Sequence, residues 1–152
     1  MIQTPSKVTK ISLYDRDLNL WLEEAIAKLK CGDFHNLDIE NLVEELEGLA
    51  GRDKRELKSR LRTLLEHLLK RLYVNMPDCF NGWENTIREQ RSQLEDILEQ
   101  SPSLKAMWAE TFDNAWRSAL KNTRQEYRNF KFPDLWQFSR NIDAMLNIDF
   151  WE

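Results

Sequence analysis

Helix breakers and reactive side chains are both scarce in this chain: four glycines, four prolines, two cysteines and two histidines in 152 residues. Beside 41% hydrophobic and 32% charged residues, so few breakers mark a folded, helix-leaning soluble chain and exclude a disordered one. Cys31 and Cys79 stand far apart with no CxxC spacing, which argues against a zinc site and a disulfide and suits a reducing compartment. Neither His35 nor His67 has a Glu three residues before it, so the Glu-x-x-His pairs of di-iron bundles are missing. Glu44-x-x-Glu47 matches half of the magnesium site of helical nucleotide pyrophosphohydrolases. The only Glu-x-x-Asp, Glu110-x-x-Asp113, lies too far along the chain to complete it. There is no glycine-rich phosphate loop and no Ser–His–Asp arrangement. No metal and no cofactor are therefore expected. No window approaches the roughly 20 apolar residues of a membrane span, and the N-terminus has no apolar signal core. The expected location is the cytoplasm, with no membrane partner.

What is present is helical periodicity and many aromatics, six Trp and seven Phe among them. Leu18, Trp21, Leu22, Ala25, Ile26 and Leu29 form one apolar stripe, which predicts a helix from Tyr14 to Lys30 with Ser12 as N-cap and Gly32 just past its end. Asp38 is placed to cap a second helix with Ile39, Leu42, Val43, Leu46 and Leu49 on its apolar face. Gly48 and Gly51 bracket a weak point where a break or bend is expected. Leu57 to Leu72 carry the strongest stripe, ended by Pro77. A fourth helix runs through Trp83 to Leu98, a fifth opens at Ser101–Pro102 and reaches Tyr127, and a last one opens at Pro133. No long stretch alternates at period two, so almost no strand is expected. The predicted fold is all-α: a compact antiparallel helical bundle of five to six helices, one domain over residues 1–152 with residues 1–11 a flexible N-terminus. Trp21, Leu64, Leu68, Trp108 and Trp116 are expected in one core.

The net charge of −4 hides a gradient: −5 over residues 1–50, +3 over 51–130 and −2 over 131–152. Residues 52–71 alone hold eight basic and three acidic groups. An acidic helix and a basic helix could attract each other; alternatively, 52–71 could hold nucleic acid, the less favoured reading. Arg62-x4-His67 is the one motif with catalytic meaning. Arg–His pairs at this spacing serve the helical-bundle ribonucleases of the HEPN superfamily, with His handling protons and Arg holding phosphate. On a helix, however, the two side chains lie about 140° apart, on opposite flanks of the leucine stripe. The structural reading therefore leads: Arg62 reaches Glu44, Glu45 or Glu47 and fixes how two helices dock, while His67 packs at the edge of the core. Glu84 and Arg88 have the spacing of a surface helix pair, and Arg91 could join Arg88 in an anion-binding face.

The order of segments LYDRDLNLWLEE, LDIENLVEELEGL, SRLRTLLEHLLK, WENTIREQR, ILEQSPSL and the terminal DFWE resembles the bacterial domain-of-unknown-function family number 29, abundant in cyanobacteria. The resemblance runs from about Leu13 to Glu152. Matching positions are Tyr14, Asp17, Trp21, Asn41, Glu44, Glu45, Glu47, Arg62, His67, Lys70, Trp83, Ile87, Arg88, Gln90 and Arg91. It implies an all-helical domain of the bacterial cytosol and brings no established activity or catalytic role. The leading functional expectation is a binding or oligomerisation module, with a protein partner or a homodimer. The acidic Glu44, Glu45 and Glu47 and the basic Arg88 and Arg91 are its candidate binding residues. The alternative is an RNA-cleaving or nucleotide-handling bundle using Arg62 and His67.

Overall fold

A computed structural model describes residues 11–152. The N-terminal segment expected to be flexible lies, except for Ile11, outside the described residues. Those described form six α-helices and no strand: α1 (Leu13–Arg16), α2 (Leu18–Cys31), α3 (Ile39–Tyr73), α4 (Pro77–Gln100), α5 (Trp108–Glu126) and α6 (Ile142–Asn147). The fold is all-α, as the periodicity predicts. The chain divides into two units, Met1–Ala50 and Gly51–Glu152, and the boundary falls inside α3.

In the first unit the caps explain the helix ends. Ser12 accepts a hydrogen bond from the Asp15 amide and opens α1, a single turn. Asp17 leaves helical geometry and caps α2 through the Leu20 amide, so the helix expected from Tyr14 begins in earnest at Leu18. Gly32 closes α2 at φ +76°, a left-handed conformation that suits glycine. Asp38 caps the start of α3, accepting from the Asn41 amide at 3.3 Å and its side chain at 2.7 Å.

Of the break or bend expected between Gly48 and Asp53, the break does not occur: α3 is continuous for 35 residues. Two glycines cost a helix about 2 kcal/mol together. A break would instead leave several N–H and C=O groups without intrahelical partners. The residues around Gly51 are good helix formers, and Gly51 itself gives room to the Arg55 guanidinium, which a Cβ there would meet at 2.8 Å. Asp53 is also held from outside the helix, accepting from the Ser101 hydroxyl at 3.1 Å.

In the second unit α3 and α4 run antiparallel. Asp53 meets Ser101, Arg60 meets Gln90 and Arg71 meets Glu84, a register that steps down one helix as it climbs the other. Leu57, Leu61, Leu64, Leu65 and Leu68 pack with Ile87, Leu94 and Leu98 of α4 and with Trp108, Phe112, Ala115 and Ala119 of α5. Leu69, Val74, Trp83, Leu120 and Phe132 form a second cluster. Leu64, Leu68 and Trp108 share the main core as predicted, with Trp116 partly buried against it. Trp21 belongs elsewhere: it is buried in the first unit, edge-on to Tyr14 at 4.8 Å.

Two further corrections concern the C-terminal third. The fifth helix starts as 3-10 turns over Pro102–Met107 before becoming α5. The helix expected from Pro133 is shortened to α6, capped by Asn141, and residues 128–141 form an irregular strap. The strap is held by side chains that a helix would have aimed differently. Trp136 packs edge-on with Phe112, Trp116, Phe138 and Phe150. Arg140 reaches back to Asp113 and the Ala109 carbonyl, and Trp108 donates to the Arg140 carbonyl at 2.7 Å.

Candidate functional site

Arg62 and His67 sit on the second-unit half of α3 and engage different partners. Arg62 pairs with Glu66 of its own helix, with Nε 3.7 Å from the carboxylate. Glu44, Glu45 and Glu47 lie on that same helix, so there is no second helix for Arg62 to dock. Glu45 accepts from the Tyr14 hydroxyl at 2.6 Å instead, a bond that pushes the Tyr14 pKa up to about 12. His67 is half-buried, with Nδ1 2.8 Å from the Thr63 carbonyl oxygen. A carbonyl only accepts, so Nδ1 carries the hydrogen and Nε2 keeps its lone pair. Burial lowers the His67 pKa, against the pull of the Thr63 bond.

Around His67 stand Glu66 and Lys70 of α3 and Glu126 of α5. Glu66 is half-buried and its pKa is raised by burial, with Arg62 and Lys70 opposing. Lys70 is buried; its Nζ lies 3.1 Å from Glu126 and 5.8 Å from the centre of the Tyr127 ring. An imidazole and a carboxyl whose charged forms are both disfavoured by burial are a combination acid–base chemistry can use. Here both groups sit in the seam between α3 and α5, one turn from packed leucines. Spacing could not have revealed Lys70 as buried, because its partner Glu126 lies far along the chain.

Four of the eight basic residues of segment 52–71 form ion pairs within the protein. Arg60 pairs with Glu56, Arg62 with Glu66, Lys70 with Glu126 and Arg71 with Glu84. Glu84 thus serves Arg71 rather than Arg88, and the Arg71 guanidinium also stacks 3.8 Å over the Phe80 ring. Arg88 is exposed and bonded to the Asn85 side chain. Arg91 is buried. Its guanidinium donates to the Met145 carbonyl at 2.8 Å, to the Ile148 carbonyl, and to Asp149 at 3.2 Å. It thereby satisfies carbonyls at the end of α6 that the helix cannot. A groove along α5 includes Trp116, Arg117, Lys121 and Leu135, and its Arg124 is paired with Asp134 at 2.7 Å.

The first unit presents a different kind of surface. Trp21 and Ala25 are its only buried hydrophobic residues among those described. On α3, Ile39, Val43, Leu46 and Leu49 are 45–58% exposed, whereas Leu57, Leu61 and Leu64 further along the same helix are at 0–1%. Leu18, Ile26 and Leu29 of α2 are exposed as well. Glu44 and Glu47 stand in solvent beside this stripe. Its periodicity was legible in the sequence; its exposure was not.

The described residues are all-α, and no group of three or more His, Cys, Asp or Glu among them is placed to hold a metal. Nor is any described helix long and apolar enough to cross a membrane. The family model described as "Domain of unknown function DUF29" matches residues 13–151, and the chain belongs to that family. No curated protein and no solved structure matches it.

Proposed function

We propose that this protein is a protein-interaction module whose working surface is the apolar face of its first unit. The observation that supports this is the contrast within α3: one leucine-rich stripe, covered after residue 57 and open before residue 49. Covering a half-exposed Leu, Ile or Val is worth roughly 1 kcal/mol, so the four on α3 would contribute favourably to an association. Apolar patches of this kind on a soluble chain mark binding sites. RNA cleavage through Arg62 and His67 draws less support, since Arg62 is paired with Glu66 and Nδ1 of His67 is held by Thr63. The free thiols of Cys31 and Cys79 suit a reducing compartment such as the cytoplasm.

The test is a photo-crosslinking residue placed at position 46 in the protein expressed in its native cells. A discrete crosslinked protein species is expected, lost when Val43→Asp is added and unaffected by Arg88→Ala. Crosslinking no stronger than at an exposed charged position such as Glu99 would overturn the reading.

A further inference from the structure

We propose that the partner presents a cationic amphipathic helix to this face, an inference that rests on the interaction reading above. The shape follows from spacing. Ile39, Val43 and Leu46 recur at four and three residues, and Leu49 continues the row on its flank, so the open stripe spans about three helical turns. A second amphipathic helix meets such a row with the same period.

The charge follows from what borders the stripe. Between Ile11 and Ala50 there are ten acidic and three basic side chains. Glu40 and Glu47 lie one turn before and one turn after Val43, with Glu44 beside them, and all three are exposed. One of the three cations, Lys28, is already turned to the Asn36 carbonyl at 3.1 Å. An apolar row with an acidic border attracts a helix whose leucines are flanked by Lys or Arg. It repels an anionic membrane surface, and it repels a second copy of itself, since each copy brings the same excess negative charge.

The experiment uses the full chain and synthetic helices of about five turns with leucines at helical spacing and either lysine or glutamate elsewhere. Binding of the labelled peptides is followed by fluorescence anisotropy. The leucine–lysine helix is expected to bind, with affinity falling about tenfold or more from low to physiological salt; the leucine–glutamate helix is expected not to. Val43→Ser with Leu46→Ser should weaken binding about tenfold while the melting curve is unchanged. Glu40→Gln with Glu44→Gln and Glu47→Gln should weaken it several-fold at low salt only. Equal binding of the two helices, binding that none of these variants alters, or preferential binding to phosphatidylglycerol vesicles would overturn the proposal. Sedimentation separates its failure from that of the wider reading. Self-association abolished by Leu46→Ser, without peptide binding, sinks the cationic helix and leaves an interaction module. No peptide binding, no self-association and no crosslink at position 46 sinks both.

Discussion

The two units of this protein treat similar sequence differently. Both carry helices with apolar residues at three- and four-residue spacing, yet the second buries most of the large apolar residues of its long helices and the first, among the described residues, buries Trp21 and Ala25. Leu61 and Leu46 belong to the same helix, and one is fully covered while the other is more than half exposed. An amphipathic stripe is therefore a demand for a partner surface. It does not say whether that surface lies within the chain. In the second unit α4 and α5 supply it; in the first, three turns of α3 and the flank of α2 stay open.

That contrast can be broken most sharply in the covered half. Leu68→Ala removes a side chain with no exposed surface from the main core and should cost about 2–5 kcal/mol in denaturant melts. A cost under about 0.5 kcal/mol would mean that the second unit is not the packed one. Arg91→Ala comes next. It strips the Met145 and Ile148 carbonyls of their donor and should cost about 1–3 kcal/mol, with α6 exchanging its amide hydrogens faster. Arg91→Lys should not restore it, because one ammonium cannot reproduce the guanidinium fork.

His67 adds a pH dependence confined to the covered half. Its pKa lies below the ordinary 6.5 in the fold, so between the two values the unfolded chain binds more protons. Its contribution is complete above 6.5 and is lost as pH falls through the folded pKa. Glu66 acts the other way: raised above 4.5, it favours the fold below 4.5 and loses that contribution as pH rises through its folded pKa. As pH drops from about 7 towards 5 the two therefore act in opposite directions, so His67→Gln should tilt the melting temperature towards greater relative stability at the acid end and Glu66→Gln should tilt it the other way. An unchanged slope would put the titrating group elsewhere.

The smallest effects come last. Arg62→Ala breaks only a part-exposed i,i+4 pair and should cost about 0.3–0.5 kcal/mol. Wild-type cleavage of bulk RNA that disappears in this stable variant would instead make Arg62 catalytic. Leu46→Ser should leave stability within about 0.5 kcal/mol, the counterpart of Leu68→Ala on the same helix. A large loss there would mean that the first unit covers its own stripe.

Much of the fold was legible because its signals are local. Ser12, Gly32, Asp38 and Pro77 act on backbone groups within a few residues, so their roles as caps and stops could be read directly. The same locality misled at Gly48 and Gly51, where intrinsic propensity suggests a break but helix continuity and the Asp53–Ser101 bond prevail. It also misled at Pro133, where a helix start gave way to a strap organised by Trp136 and Arg140. For the candidate site, residue types were visible and partners were not. Arg91 reads as a surface cation until α6, more than fifty residues on, folds over it.

By itself, then, the sequence determined the all-α class, most helix ends, the leucine core of α3 and the acid-to-base gradient along it, because each depends on neighbours within one or two turns. Tertiary structure alone decided which half of that stripe is covered, that Lys70 and Arg91 are interior cations, and that Glu45 belongs to Tyr14 rather than Arg62. Those outcomes depend on groups that meet only after the chain has folded, and no spacing along one helix records what lies across from it.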